Sequence, residues 1–549
     1  MNVPGTRELQ QIRRNSWLTT RQDKLHEIIT VPNLVGVIGC AVLLFLLLVP
    51  PLPWNIRLPL YFMALVWTIL RPRVSLYLLA FCVPWGSLDY IDVSSLRLNS
   101  ADILVIFLAL GWLINCALPV YTGLRDRDAA HIPVYLILAM FALLGIMLLS
   151  MTVALNKSDS LKEISKWLEV LVILLLGSQY LRTRRQVWTI IVLVCIAGMT
   201  QAVYGYAQAF LSLGPQSFIR SDILRVYGTF GQPNPYAAYI NLPLSIALAV
   251  TLLGRDWLTR VLAGIATITL AVAEFLSQSR GAEIALATAF AFIILAGVPG
   301  IRKLFRVLII ALLGFVEALL LGWVPQTLFS PALKFLGLSG ISLTEPSNQD
   351  FSTAERLAHW IAGLHMYFDH PILGVGIANY PDAYPPYHIA NFLDPLGHAH
   401  NYYINVAAEM GTIGLIVYLL FLLAIFAAGA HALRALNKKY WQAKALPVQP
   451  QPPIQAPLGT GNKLKLLLHP FSLVRHSQRQ WPLEIPGMLT NDRALAIGLI
   501  AALITVQVHN FVDDVYVHSL TSLIALLLIA LIRLERVTPE VYKQAAFGG

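Results

Sequence analysis

At 549 residues the chain is long enough for several soluble domains. Only 12% of its residues are charged and 57% are hydrophobic, whereas soluble domains carry about 25% charge; soluble domains are excluded and lipid must cover most of the outside. The net charge of +10 comes without any nucleic-acid-binding motif, which argues against nucleic acid as a partner and for basic residues held in cytoplasmic loops.

Residues 1–30 are polar and of mixed charge, the composition of a cytoplasmic tail and not of a cleaved signal peptide. A helix that crosses the hydrocarbon needs about 20 apolar residues, because only its own turns can satisfy the backbone there. Runs of this kind predict spans at 31–50, 54–70, 74–88, 101–121, 132–155, 161–181, 187–211, 235–253, 258–277, 281–298 and 304–323, so that 31–323 holds transmembrane helices 1–11. A long segment at 324–403 follows, then a twelfth span at 404–428 and a basic Pro/Gln-rich stretch at 429–493. Two last spans, 494–512 and 517–534, fill 494–534, and 535–549 forms a second tail. The second and third spans are short and are separated by Arg71-Pro72-Arg73, so they can form a re-entrant pair. The fold class is all-α: a polytopic integral membrane protein with 12–14 transmembrane helices and one large extracytoplasmic loop. Cys40, Cys82, Cys116 and Cys195 all lie in apolar runs without CxxC pairing, and read as small buried residues, neither disulfides nor metal ligands.

Charge parity tests this order of spans, since each added or missed span inverts every later loop. With the N-terminus in the cytoplasm, 29 of the 39 Lys and Arg residues fall on the cytoplasmic side, as basic loops should. Nine of them are in 429–493, whereas 324–403 holds two (Lys334, Arg356) against six acids. Both termini and 429–493 are therefore expected in the cytoplasm of a bacterium, the spans in its inner membrane, and 324–403 outside. That outer segment contains an amphipathic helical stretch from Thr353 to Tyr367 and then a Tyr-, Pro- and His-rich run. Its aromatic content argues for an ordered functional loop.

Four polar constellations fall on the same outer face: Arg225 to Asn234, Ser277 to Gly281, His398-Ala-His400-Asn401, and His509 to Asp514. Taken alone each has a plain structural reading. An arginine near the boundary can snorkel to the headgroups, and Arg280 can pair with Glu283 three residues along its helix. Two histidines do not make a metal site. Gly374-Val-Gly376 lacks the third glycine and the strand–helix context of a dinucleotide loop. Together the four suggest more. Guanidinium forks bind phosphate oxygens bidentately, and a histidine beside them can take a proton from a hydroxyl. A lipid-linked diphosphate fits such a boundary cavity. Asp513 and Asp514 emerge on the same face and can orient a histidine or bind sugar hydroxyls.

At these residues the sequence resembles the O-antigen ligase/polymerase superfamily. The resemblance rests on Arg225…Gly228-Thr-Phe…Pro233-Asn234, on Ser279-Arg280-Gly281, on Arg356…His370-Pro371…Gly374-Val-Gly376, and on His400-Asn401-Tyr402…Glu409-Met-Gly411…Gly414, covering about 200–430. It implies metal-independent, cofactor-free transfer of a glycan from an undecaprenyl-diphosphate carrier to an acceptor hydroxyl on a glycan, lipid A core or protein. Arg225 and Arg280 would hold the diphosphate, His400 would sit at the transfer point, and Arg356 would contact donor or acceptor. His398 and Asn401 are further acceptor-side or orienting candidates. A polymerase joining carrier-linked repeats is the near alternative. A transporter of bicarbonate or another anion is the alternative of another class, prompted by acids such as Glu169, Glu274 and Glu409 inside predicted spans; no internal repeat favours it.

Overall fold

The structure, a computed structural model, describes residues 53–88, 90–93, 96–117, 132–220, 223–298, 342–344, 351–445 and 481–537, with isolated positions between 300 and 318. The predicted spans 31–50 and 304–323 lie outside the residues described as continuous segments, as do 1–30 and most of the 429–493 stretch.

Among the described residues nine helices precede the 324–403 segment: α1 (Trp54–Leu70), α2 (Arg73–Trp85), α3 (Ser100–Ala117), α4 (Val134–Ser150), α5 (Lys157–Tyr180), α6 (Arg184–Leu211), α7 (Pro233–Leu253), α8 (Trp257–Ser277) and α9 (Arg280–Gly297). Helix α10 (Phe351–Asp369) lies in the loop, and α11 (Tyr402–Ala445), α12 (Trp481–His509) and α13 (Leu520–Val537) complete the chain. Among the described residues eight helices are long and apolar enough to cross a membrane. The protein is an all-α polytopic membrane protein. Helix α2 has 13 residues and reaches only about 20 Å, short of the roughly 30 Å hydrocarbon core.

Local chemistry sets the starts. Thr183 and Gln186 form a capping box on α6, the Asn156 side chain accepts from the Ser158 and Asp159 N–H groups at the start of α5, and Asp256 accepts from Thr259 at the start of α8. Each meets N–H groups that have no partner within the helix. Two short antiparallel hairpins, β1–β2 (Tyr90–Val93, Leu96–Asn99) and β3–β4 (Ile219–Arg220, Ile223–Leu224), add to the helical pattern. Asn99, at the end of β2, donates to Ser519 Oγ at 2.7 Å, bracing the link between α12 and α13.

Helices α7 and α12 sit at the centre, with 78% and 83% of their apolar stretches buried against 22% for α8 and α9. Helix α12 packs on α7, α9 and α11, and α11 also packs on α4. Helix α11 runs well past the predicted end at 428, carrying Arg434, Lys438 and Lys439 on its extension.

The loop that carries α10 is fastened to α11 backbone to backbone. Val375 N–H donates to Ala408 O (2.9 Å), Gly376 N–H to Glu409 O (3.0 Å) and Thr412 N–H to Pro371 O (2.8 Å). A Cβ on Gly374 would lie 2.2 Å from the Glu409 carbonyl carbon, and one on Gly411 would lie 2.3 Å from that of Ile372; both residues have positive φ. Only glycine permits this approach. Gly374-Val-Gly376 is a clamp for a helix, which is why it resembles a nucleotide loop in letters alone.

Candidate active site

The four constellations meet at one end of the bundle. The run from Arg225 to Phe230, which ends in a turn, is pinned on α6: Gln208 accepts from Gly228 N–H at 2.8 Å and donates to its carbonyl at 2.8 Å, and Gln201 donates to Thr229 Oγ1 at 3.1 Å. Gly228 has positive φ, and a Cβ there would press on the Tyr236 ring at 2.5 Å. The Gly-Thr-Phe stretch thus supports Arg225, whose Nε donates to Ser277 O at 2.9 Å and whose Nη2 lies 3.4 Å from Asn234 Oδ1.

The junction of α8 and α9 turns through Gln278 in the left-handed conformation. Ser279 Oγ donates to Asn234 Oδ1 at 3.1 Å. A Cβ on Gly281 would lie 2.6 Å from Val512, so glycine lets this turn close against the end of α12. Arg280 is exposed and forms no ion pair with Glu283, since no such contact occurs among the described residues. From the loop, α10 contributes Arg356, whose Nη1 reaches Ser352 O at 3.4 Å and whose buried Nε has no partner among the described residues.

These groups line a cavity of about 240 Å³ that includes Arg225, Arg280, Arg356, Asn234, Trp360 and Asp513. Three guanidiniums face one carboxylate. Asp513 joins three segments: its Oδ2 accepts from Asn234 Nδ2 at 2.7 Å, and its Oδ1 lies 3.2 Å from His400 Nδ1. Burial opposes its ionisation, but the His400 hydrogen bond and the charges of His398, His400 and Arg356 hold the carboxyl well below the ordinary range. An ionised carboxylate only accepts, so Nδ1 of His400 carries a proton, and whenever the ring is neutral the lone pair is on Nε2. That Nε2 is buried and has no partner among the described residues. His400 itself has φ +51°, an uncommon conformation for a non-glycine residue, held because Trp360 Nε1 donates to its carbonyl at 3.0 Å and Tyr402 N–H donates to Asn510 O at 2.8 Å.

The other candidates separate. His398 Nδ1 accepts from the His400 N–H at 3.0 Å, leaving its Nε2 3.8 Å from Asp513; burial pushes its imidazole down despite the pull of Asp513 and Asp514. Asn401 accepts from Tyr403 and Ile404 N–H groups at 3.0 and 3.1 Å and so caps α11. Asp514 is absent from the cavity lining; its Oδ1 accepts from Tyr516 N–H at 2.9 Å, and Lys166 and Glu163 are among its electrostatic neighbours. Glu409 is likewise engaged, accepting from Tyr380 N–H at 3.1 Å. His398, His400 and Asp513 offer ligand atoms within 4.8 Å of one another and are the group that can hold a metal ion among the described residues.

Sequence reasoning assigned no role to Asn234, Trp360 or His359. Asn234 had a signal, sitting one residue after the proline that opens α7. His359 had none beyond its place three residues after Arg356, yet its ring centroid lies 5.6 Å from that of His400, and burial first, then the nearby histidines, push it down to about 4.

Residues 265–419 match the family model described as O-antigen ligase. This segment belongs to the O-antigen ligase superfamily. It carries Arg280 and Arg356, which line the cavity with Arg225 and Asp513 from outside the segment, and His398 and His400, which are not in the lining and meet the cavity through Asp513. Over that segment the chain is similar to membrane enzymes of the O-antigen ligase/polymerase type. No curated protein matches the chain.

Proposed function

We propose that this O-antigen ligase homologue transfers a glycan from an undecaprenyl-diphosphate carrier to an acceptor hydroxyl at the outer face of the bacterial inner membrane. The observation that carries the reading is the Asp513–His400 pair beside a cavity of three arginines. In this reading Nε2 of His400 accepts the hydroxyl proton as the acceptor oxygen attacks the anomeric carbon. The bond from that carbon to the diphosphate oxygen breaks, and the electron pair leaves with the diphosphate. Arg225, Arg280 and Arg356 hold the diphosphate and offset the developing charge, as guanidinium forks do for phosphate oxygens. Asp513 positions the imidazole and stabilises its protonated form, and Asn234 holds the other carboxylate oxygen. The three guanidiniums supply the positive charge, so no metal is needed.

The test is a deletion strain together with purified protein. Loss of a ligase leaves long chains on the carrier lipid, loss of a polymerase leaves single repeats on the acceptor, and loss of a transporter leaves surface glycans unchanged. Unchanged glycans would overturn the proposal.

A further inference from the structure

A second cavity is at the opposite end of the bundle. It is a cleft of about 940 Å³ between α6 and α8, floored by the last turns of α7 and reached by the N-terminal part of α12. Its walls are apolar (Trp188, Val192, Ile196, Val250, Leu262, Ile265), and Val192, Ile196, Leu262 and Ile265 are exposed. At the inner end the helices pinch together: a Cβ on Gly198 would lie 2.8 Å from Pro243 and 3.1 Å from Leu270. From Arg184 to Met199, both in the lining, the helix rises about 22 Å, more than the roughly 15 Å of one leaflet's hydrocarbon.

The open end carries Arg184, Arg255 and Asp256, and the Asp256 carboxylate is turned to Thr259, accepting from its N–H at 2.8 Å and its Oγ1 at 2.6 Å. Arg184 is held by Asp492, with Nε 2.8 and 2.7 Å from the two carboxylate oxygens. Arg255 differs. Its backbone N–H donates to Asn491 Oδ1 at 2.8 Å, but its exposed guanidinium makes no hydrogen bond or ion pair among the described residues. Exposed Trp257 stands beside it, as tryptophans do at the membrane–water boundary.

We propose that this cleft binds an anionic phospholipid of the leaflet opposite the transfer site, with its phosphate on Arg255 and its acyl chain along Val192, Ile196 and Leu262. The cleft, about 940 Å³, is at the upper end of ligand sites, about 300–1,000 Å³, and its long apolar wall suits an acyl chain. The lipid is not the glycan donor. Asn234 at the transfer site and Val250 in the cleft lie on one helix, 16 residues and about 24 Å apart, so the two headgroups sit in different leaflets.

The experiment uses the full chain in mild detergent, given equimolar phosphatidylglycerol and phosphatidylethanolamine, with bound lipid identified by native mass spectrometry. The expected result is a several-fold enrichment of phosphatidylglycerol on the wild-type protein. Arg255→Gln, a change at an exposed position, removes the enrichment; Val192→Trp, which fills the cleft from an exposed wall, removes the bound lipid. Excess glycerol 3-phosphate does not displace it, because the chains are required. Bound lipid that mirrors the supplied ratio, or enrichment that survives Arg255→Gln, overturns the proposal, and so does displacement by glycerol 3-phosphate, which marks a soluble phosphate site.

Discussion

His400 and Asp513 stand 113 positions apart in the chain, and Nδ1 of the first lies 3.2 Å from Oδ1 of the second. The pair fixes the imidazole tautomer, and with it the side of the ring from which a proton can be taken.

His400→Ala should therefore abolish transfer by well-folded protein. General base assistance is worth about 10²- to 10⁴-fold, while His398→Ala should stay within roughly tenfold, since His398 braces the His400 backbone and stands 3.8 Å from Asp513 without taking the proton. Both are assayed with no divalent metal added. Normal transfer by the His400 variant would remove the proposed base, and activity that depends on added metal would instead assign His398, His400 and Asp513 as ligands.

Asp513 and Asp514 should behave differently although they are neighbours. Asp513→Asn should lower the rate of transfer by about 10²-fold or more while leaving donor affinity close to that of wild type, because a neutral amide cannot stabilise the imidazolium. Asp514→Asn, outside the cavity, should leave the rate within a few-fold. Rapid-quench or end-point assays at saturating donor separate the two.

The same carboxylate makes a prediction about pH. Its folded value is depressed below the unfolded value of about 3.9. The ionised group thus stabilises the fold at every pH above about 4, and that contribution is lost only as the pH falls further, toward the folded value. The difference in thermal stability between wild type and Asp513→Asn should be the same at pH 7 and pH 5. A gap that closes between those values would mean the carboxyl is not depressed.

Lys at position 225, 280 or 356 keeps the charge and loses the fork. Removing a charge-assisted hydrogen bond costs about 1.5–3 kcal/mol, or roughly ten- to a hundredfold in donor binding. Titration of each purified variant with carrier-linked donor measures the loss. Unchanged affinity in Arg280→Lys would make that exposed side chain a headgroup contact only.

Gly374→Ala and Gly411→Ala should each cost at least about 1–3 kcal/mol, from positive φ and from backbone contact together. The observable is a lower melting temperature in detergent. A wild-type melting curve in either variant would show that the loop and α11 do not touch as described.

Topology is open to a direct check. Cysteines placed in 324–403 should react with an impermeant thiol reagent in intact cells, and cysteines in 429–493 should not. The reverse pattern would invert every face assigned above.

Much of this was readable in the letters. Span positions follow from apolar runs, which answer to the bilayer and not to tertiary contacts, so the ends of α6, α7, α8 and α9 fall within a few residues of expectation. Arg225, Arg280 and Arg356, expected on one face, line one cavity, and their task there is the proposal above. The division of labour between Asp513 and Asp514 was not. Adjacent residues differ only in which way a short turn directs them, and that turn is set by Asn510, whose Oδ1 accepts from Val515 N–H at 3.1 Å. Asn401 looked like a site residue because it follows the histidine, whereas its amide is used by the first turn of α11. His359 became visible only when α10 folded over the start of α11.

The hydrogen bonds from Asn234 and His400 to Asp513 also bear on inheritance. Three distant stretches of the gene must agree for one carboxylate to be satisfied: the start of α7, the approach to α11 and the turn after α12. A recombination event that exchanges only the stretch coding for 265–419 between diverged relatives would import a histidine shaped by a foreign partner. Such hybrids should insert into the membrane yet transfer poorly until Asn234 and the 509–514 turn are taken from the same parent. Selection on glycan type would then act on the whole C-terminal half as a single cassette.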